Sequence, residues 1–164
     1  YDGVSLINTA HPTATATTLT NRPAADTDFS VAALQAGIEN FWLMQNDRLL
    51  RKRITPRRLV HHPRNFWLVQ EILNSQLKPF TADNTINVVA QMGIEPFSYT
   101  FQTDEDAWYL LTENSESGFV FFWRRTPTMD DDFDKRAQVM LFMVTARFSV
   151  GITEWRHIYG STGA

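Results

Sequence analysis

The feature that most constrains this chain is an alternating run near its end. From Gln138 to Val150 one face reads Gln138, Met140, Phe142, Val144, Ala146, Phe148 and Val150. The other face reads Val139, Leu141, Met143, Thr145, Arg147 and Ser149. Period-two alternation specifies a β-strand. At about 3.3 Å per residue it spans roughly 40 Å, well beyond the usual five or six residues. A strand of that length predicts an element that crosses a whole domain and carries a helix on it.

The segments before it supply short strands and helices. Residues 85–91, 97–101, 107–112 and 118–124 are rich in β-branched and aromatic residues and are separated by polar or glycine-containing turns, which predicts a small sheet. Val31, Leu34, Ile38, Phe41 and Trp42 recur at helical spacing, with Asp28 or Ser30 available as the cap, so a helix is expected over about 30–46. Gly37 inside it points to close approach by a neighbouring element. Leu59 and Val60 make a short strand-like step, and Pro63 opens a second helix that closes at Asn74 and Ser75. The order is α+β, with no repeated β-α-β rhythm to support a doubly wound sheet. Residues 8–28 hold mostly Thr and Ala with one Leu and no Phe, Trp or Tyr, and read as an extended arm that needs another surface to order it.

A chain of 164 residues has room for one real core or two small lobes. It contains no cysteine, which excludes disulfides and thiolate metal sites. No apolar run approaches the roughly 20 residues of a membrane-spanning helix, so no membrane role is expected. A first residue of Tyr1 in place of Met predicts that the sequence begins inside a longer gene product.

The net charge of −3 conceals two opposed blocks. Arg48, Arg51, Lys52, Arg53, Arg57, Arg58 and Arg64 follow one another with no acid between them, whereas Asp104 to Asp134 holds nine carboxylates against Arg124 and Arg125. Identical copies that meet head to tail use such a pattern, because each presents both signs to its neighbours. Two solvated faces would look the same. The contact expected from the charges joins Arg51, Lys52, Arg53, Arg57 and Arg58 of one copy to Asp130, Asp131, Asp132 and Asp134 of another.

Nothing in the residue pattern calls for catalysis or a cofactor. His61 and His62 are adjacent and on an extended backbone point apart, so they do not share an ion. The acids at 130–134 lack the mid-loop glycine and closing Glu of a calcium loop and read as a solvated turn into the long strand. No GxSxG setting and no phosphate-binding glycine loop is present. The stretch 48–64 suits a nucleic-acid backbone by charge, although Trp42 and Trp67 flank it instead of interleaving as stacking platforms. Residues 119–123, FVFFW, read as simple core.

These residues also resemble a known family. Asp2-Gly3-Val4-Ser5-Leu6-Ile7 followed by His11-Pro12 is similar to the DG-x-x-LF-x-x-x-H signature of tailed-phage major capsid proteins of the Hong Kong 97-like fold, particularly the Mu-like head-subunit branch. The helix over 30–46 resembles its spine helix, TPRRLVHHP at 55–63 its P-x-x-LVV-x-P step, and Ala107-Trp108-Tyr109-Leu110 its aromatic strand. Arg147 to Gly151 with Trp155 to Gly160 is similar to its final strand and WRG-type close. His61 and His157 depart from the pattern.

The resemblance implies the carboxy-terminal portion of such a subunit. Residues 1–29 would be the return limb of an extended loop, 30–58 a peripheral lobe with the spine helix, 59–124 an axial lobe, and 125–164 the peripheral lobe's long strand and terminus. It further implies a virion structural protein, not an enzyme, that needs no cofactor. Hexamers and pentamers, assembled in the bacterial host cytoplasm, would close an icosahedral head around double-stranded DNA. The implied partners are further copies, packaged DNA by non-specific contact, and portal, scaffold or decoration proteins. An encapsulin-like shell around protein cargo and a nucleic-acid-binding module built on 48–64 are the alternative readings.

Overall fold

The computed structural model describes residues 2–15, 17–79, 85–113 and 118–163, so Tyr1 and Glu116 of the acidic block lie outside the described residues. The chain divides into two compact units, Tyr1–Gly118 with Glu154–Ala164, and Phe119–Thr153.

In the first unit a helix and a sheet share one core. Helix α1 (Val31–Leu43) starts where Ser30 accepts a hydrogen bond from Ala33 N–H, the capping role expected of it. Leu34, Gly37, Ile38 and Phe41 form its buried stripe, and each fully buried apolar side chain there contributes about 1.5–3 kcal/mol. The helix ends at Leu43, three residues short of the expected limit.

Six further elements belong to this unit. They are β1 (His11–Pro12), β2 (Thr18–Leu19), β3 (Arg58–His61), α2 (Phe66–Asn74), β4 (Glu95–Ser98) and β5 (Trp108–Leu111). A seventh, which the segment-by-segment strand reading did not include, comes after the long hairpin of the second unit. Numbered in chain order, that hairpin is β6 (Phe119–Asp134) and β7 (Val139–Ile152), and the late strand is β8 (Ile158–Ser161).

The sheet of the first unit runs β4-β3-β5-β8, with β3 and β4 parallel and the other pairs antiparallel. Its inward residues Leu59, Trp108, Leu110 and Tyr159 join the stripe of α1 in one core. A Cβ on Gly37 would stand 2.8 Å from Leu110 Cδ1 and 3.1 Å from Tyr159 Cδ1, so the glycine marks where helix and sheet touch. The helix therefore rides on the four-stranded sheet.

Other expectations also change. Pro63 opens a short 3-10 turn, Pro63–Asn65, and α2 follows it. The passage β3-α2-β4 is a single β-α-β crossover within an α+β chain. Residues 85–91 do not form a strand: Ile86 makes only an isolated bridge to Leu77, and Val89–Met92 is a 3-10 turn. Buried Asn87 explains this, because its Nδ2 donates to Ile72 O and Ser75 O while its Oδ1 accepts from Val89 N–H. Those bonds tie the backbone into a loop in place of a ladder.

The Thr/Ala-rich segment is ordered against the rest of the first unit. Its two short strands pair, and His11 and Asn21 are fully buried. Asn21 donates to Leu6 O and Trp155 O and accepts from Asn8 N–H, so polar groups do the anchoring that its few apolar residues cannot.

The second unit is a two-stranded antiparallel hairpin. β7 confirms the alternating run as one long strand, and β6 continues far beyond the expected 118–124. It takes in Asp130, Asp131 and Asp132, expected as a solvated turn, and ends at Asp134. The turn itself is residues 135–138, where Asp134 Oδ1 accepts from the N–H groups of Arg136 and Ala137 and Gln138 holds φ at 53°. Register shifts between Trp123 and Arg125 and between Arg125 and Thr128 accommodate Pro127 inside a strand.

Candidate assembly surface

The hairpin buries almost nothing of itself. On the face set by the pairs Phe119–Ile152, Phe121–Val150, Trp123–Phe148, Met129–Val144 and Phe133–Met140, the side chains are apolar nearly from end to end, interrupted by Asp131 opposite Phe142. Phe121 and Phe148 stack at 5.1 Å and Trp123 packs edge-on against both, yet Trp123 remains 50% exposed and Val144 68%. Residues 119–123 are thus an exposed apolar strip and not core, a correction with a simple cause: a two-stranded ribbon has no second layer to bury either face. Such a ribbon is marginal in water, and a contiguous apolar strip of this length marks a contact surface.

The opposite face is mixed. Arg125 pairs across from Arg147 near the base, and Thr128 meets Thr145 with their hydroxyls 3.3 Å apart. Beyond them Asp130, Asp132 and Asp134 form a row beside Met143, Leu141 and Val139. None of Asp130, Asp131, Asp132 and Asp134 takes part in an ion pair among the described residues.

The basic block lies in the first unit and is partly spoken for. Lys52 Nζ lies 3.7 Å from Glu154 and 3.0 Å from His157 Nε2. Arg51 donates to Leu43 O, and Arg58 pairs loosely with Glu95 at 3.9 Å. Arg57 and Arg58 line an open groove with Gly93, Glu95 and Glu113. Arg53 is exposed. The five cations are therefore unequal, with Arg53 and Arg57 the most available for an outside partner.

Two polar centres escaped the charge-block reading. Arg156 is 3% exposed at its side chain, donates to Gln45 O at 2.8 Å, and pairs with Glu154 and Asp47. Burial opposes its charge, but the two carboxylates more than offset this and hold its pKa above the usual arginine value. Its guanidinium also covers the Trp155 ring at 4.5 Å. The second centre is His11, stacked on Trp155 and bonded to Asp2 and Asn21. Its sequence signal was present as the spacing of Asp2-Gly3 from His11.

His61 is buried, with Nδ1 2.8 Å from His62 O, while His62 accepts from Arg64 N–H to cap the 3-10 turn. Among the described residues no three His, Cys, Asp or Glu side chains converge as metal ligands do, and no described helix is long and apolar enough to cross a membrane.

No curated protein matches the chain. A family model described as phage capsid protein matches residues 1–161, which takes in both units: the signature segment with Asp2 and His11, the sheet beneath α1, and the uncovered hairpin. A surface made for contact and a match over nearly all the sequence lead to the same place, and the chain belongs to this family of phage capsid proteins, structural components of the virion.

Proposed function

We propose that this capsid protein is a major head subunit of the Hong Kong 97-like kind, built into hexamers and pentamers of an icosahedral shell around double-stranded DNA. The observation that carries the reading is the hairpin: its apolar face leaves large side chains in water over most of its length, which suits a subunit whose neighbours complete its fold. The resemblance supplies the lobes, with 30–58 and 125–164 peripheral and 59–124 axial, and the Mu-like branch. Contacts with portal, scaffold or decoration proteins belong to the same proposal.

Arg53 and Arg57, with Arg51, Lys52 and Arg58 around them, are proposed to face Asp130, Asp131, Asp132 and Asp134 of a neighbour. Sedimentation of the full-length protein after reversing Arg57 and Arg58 to Glu tests the contact. A loss of assembled material is expected, and assembly unchanged from wild type overturns the pairing. The same experiment with added DNA separates the nucleic-acid-binding alternative, in which steeply salt-dependent DNA binding occurs without any large assembly.

A further inference from the structure

Residues 44–52 fold back into a small tip that orders itself. Gln45 bridges Arg51, Lys52 N–H donates to Met44 O, and Asn46 Oδ1 accepts from the N–H groups of Arg48 and Leu50, both at 2.9 Å. The tip nevertheless presents Arg48, Leu49 and Leu50 to solvent, with Leu50 62% exposed. Leu49 holds φ at 62°, in the left-handed region that Gly or Asn enters at less cost. Two exposed leucines, one of them on a strained backbone, bring the first unit no core. A rigid apolar tip with a cation on it has the chemistry of a contact.

The complementary chemistry stands on the mixed face of the hairpin. There the row Asp130, Asp132, Asp134 runs beside the row Met143, Leu141, Val139, so carboxylates and apolar side chains are offered together. Nearer the base of the same face Arg125 and Arg147 stand opposite one another and repel a basic visitor. That repulsion fixes which end of the face a basic tip can use.

We propose that the 46–50 tip of one copy docks on the outer half of this face on a second copy. Arg48, backed by Arg53, meets the carboxylate row, and Leu49 and Leu50 lie on Leu141 and its neighbours. Each copy gives one tip and one face, so the contact is head to tail and closes rings when the rotation allows. The inference rests on the capsid reading and names a surface through which copies meet.

These 164 residues contain no cysteine, so each introduced thiol is the single one among them. Full-length Leu50→Cys and Leu141→Cys proteins, distinguishable by a tag, are assembled together and oxidised. A covalent dimer containing one of each is expected, with far less from either variant alone. Separately, Arg48→Glu with Arg53→Glu is expected to lower the assembled fraction about tenfold, and adding Asp130→Lys with Asp132→Lys in the same chain to restore most of it. The proposal is overturned if wild-type particles form but the mixed copies do not link. It is overturned equally if the charge-reversed chain assembles like wild type, or if a chain carrying both cysteines links only to itself. Wild-type protein that never assembles sinks the capsid reading, and this contact with it.

Discussion

His11 and Asp2 meet at 2.6 Å through Nδ1 and Oδ2, while the other face of the arrangement is a Trp155 ring stacked 3.8 Å from the imidazole and 6° from parallel. Nε2 lies 3.0 Å from Asn21 Oδ1, so both ring nitrogens face oxygen in a fully buried site. This ties the opening segment to the end of the chain. Replacing His11 by Ala removes the stack and leaves buried Asn21 short of a partner, and should cost about 2–4 kcal/mol in denaturant unfolding. Asp2→Asn should cost about 1 kcal/mol.

Acid sensitivity should follow from Asp26 and Asp2. Asp26 receives Nε and Nη2 of Arg22 and the hydroxyl of Thr162, and Arg22 in particular lowers its pKa to about 2. Burial pushes Asp2 up, but the hydrogen bonds from His11 and Val4 N–H outweigh it and its pKa falls below 3.8. Folded values below the unfolded ones mean stability that is complete above about pH 4 and drains away as pH falls toward 2. Thermal melting between pH 5 and 2 should show this decline, and Asp26→Asn should flatten part of it.

Gly37 should resist substitution. Leu110, which its Cβ would strike, is fully buried and has nowhere to go. Gly37→Val should destabilise the first unit by about 1–3 kcal/mol through overpacking. Gly37→Ala gains about 1 kcal/mol of helix propensity and should lose less. A Gly37→Val protein as stable as wild type would mean that helix and sheet do not meet there.

Leu49 separates stability from assembly. Leu49→Gly relieves the left-handed backbone and should raise the melting temperature, by about 1 kcal/mol of stability, since the side chain makes no core contact. If the tip is a docking element, the same variant should assemble less. A variant both less stable and equally competent in assembly would contradict both expectations.

How much could be read from sequence depended on which interaction decided each element. Period-two alternation located β7 to within two residues because a ribbon that long has no rival structure, and helical spacing with Ser30 located α1. Residues 85–91 misled because their β-branched side chains favour a strand, whereas the amide of Asn87 claims the backbone for a loop. The aromatic run 119–123 misled differently: apolar composition is the same for a core and for a surface that awaits a partner. The contacts of Arg156 and the stacking partner of His11 stayed hidden because they lie far off in the chain, Gln45 being 111 residues from Arg156 and Trp155 farther still from His11. The five cations looked equivalent as a run, yet Glu154, Glu95 and Leu43 O distinguish them only in three dimensions.

Electron microscopy of the full-length product, expressed alone and with its neighbouring genes and fractionated by sedimentation, decides whether this protein builds shells. Closed shells or ring-shaped capsomers are the predicted result. A stable monomer under every such condition would contradict it.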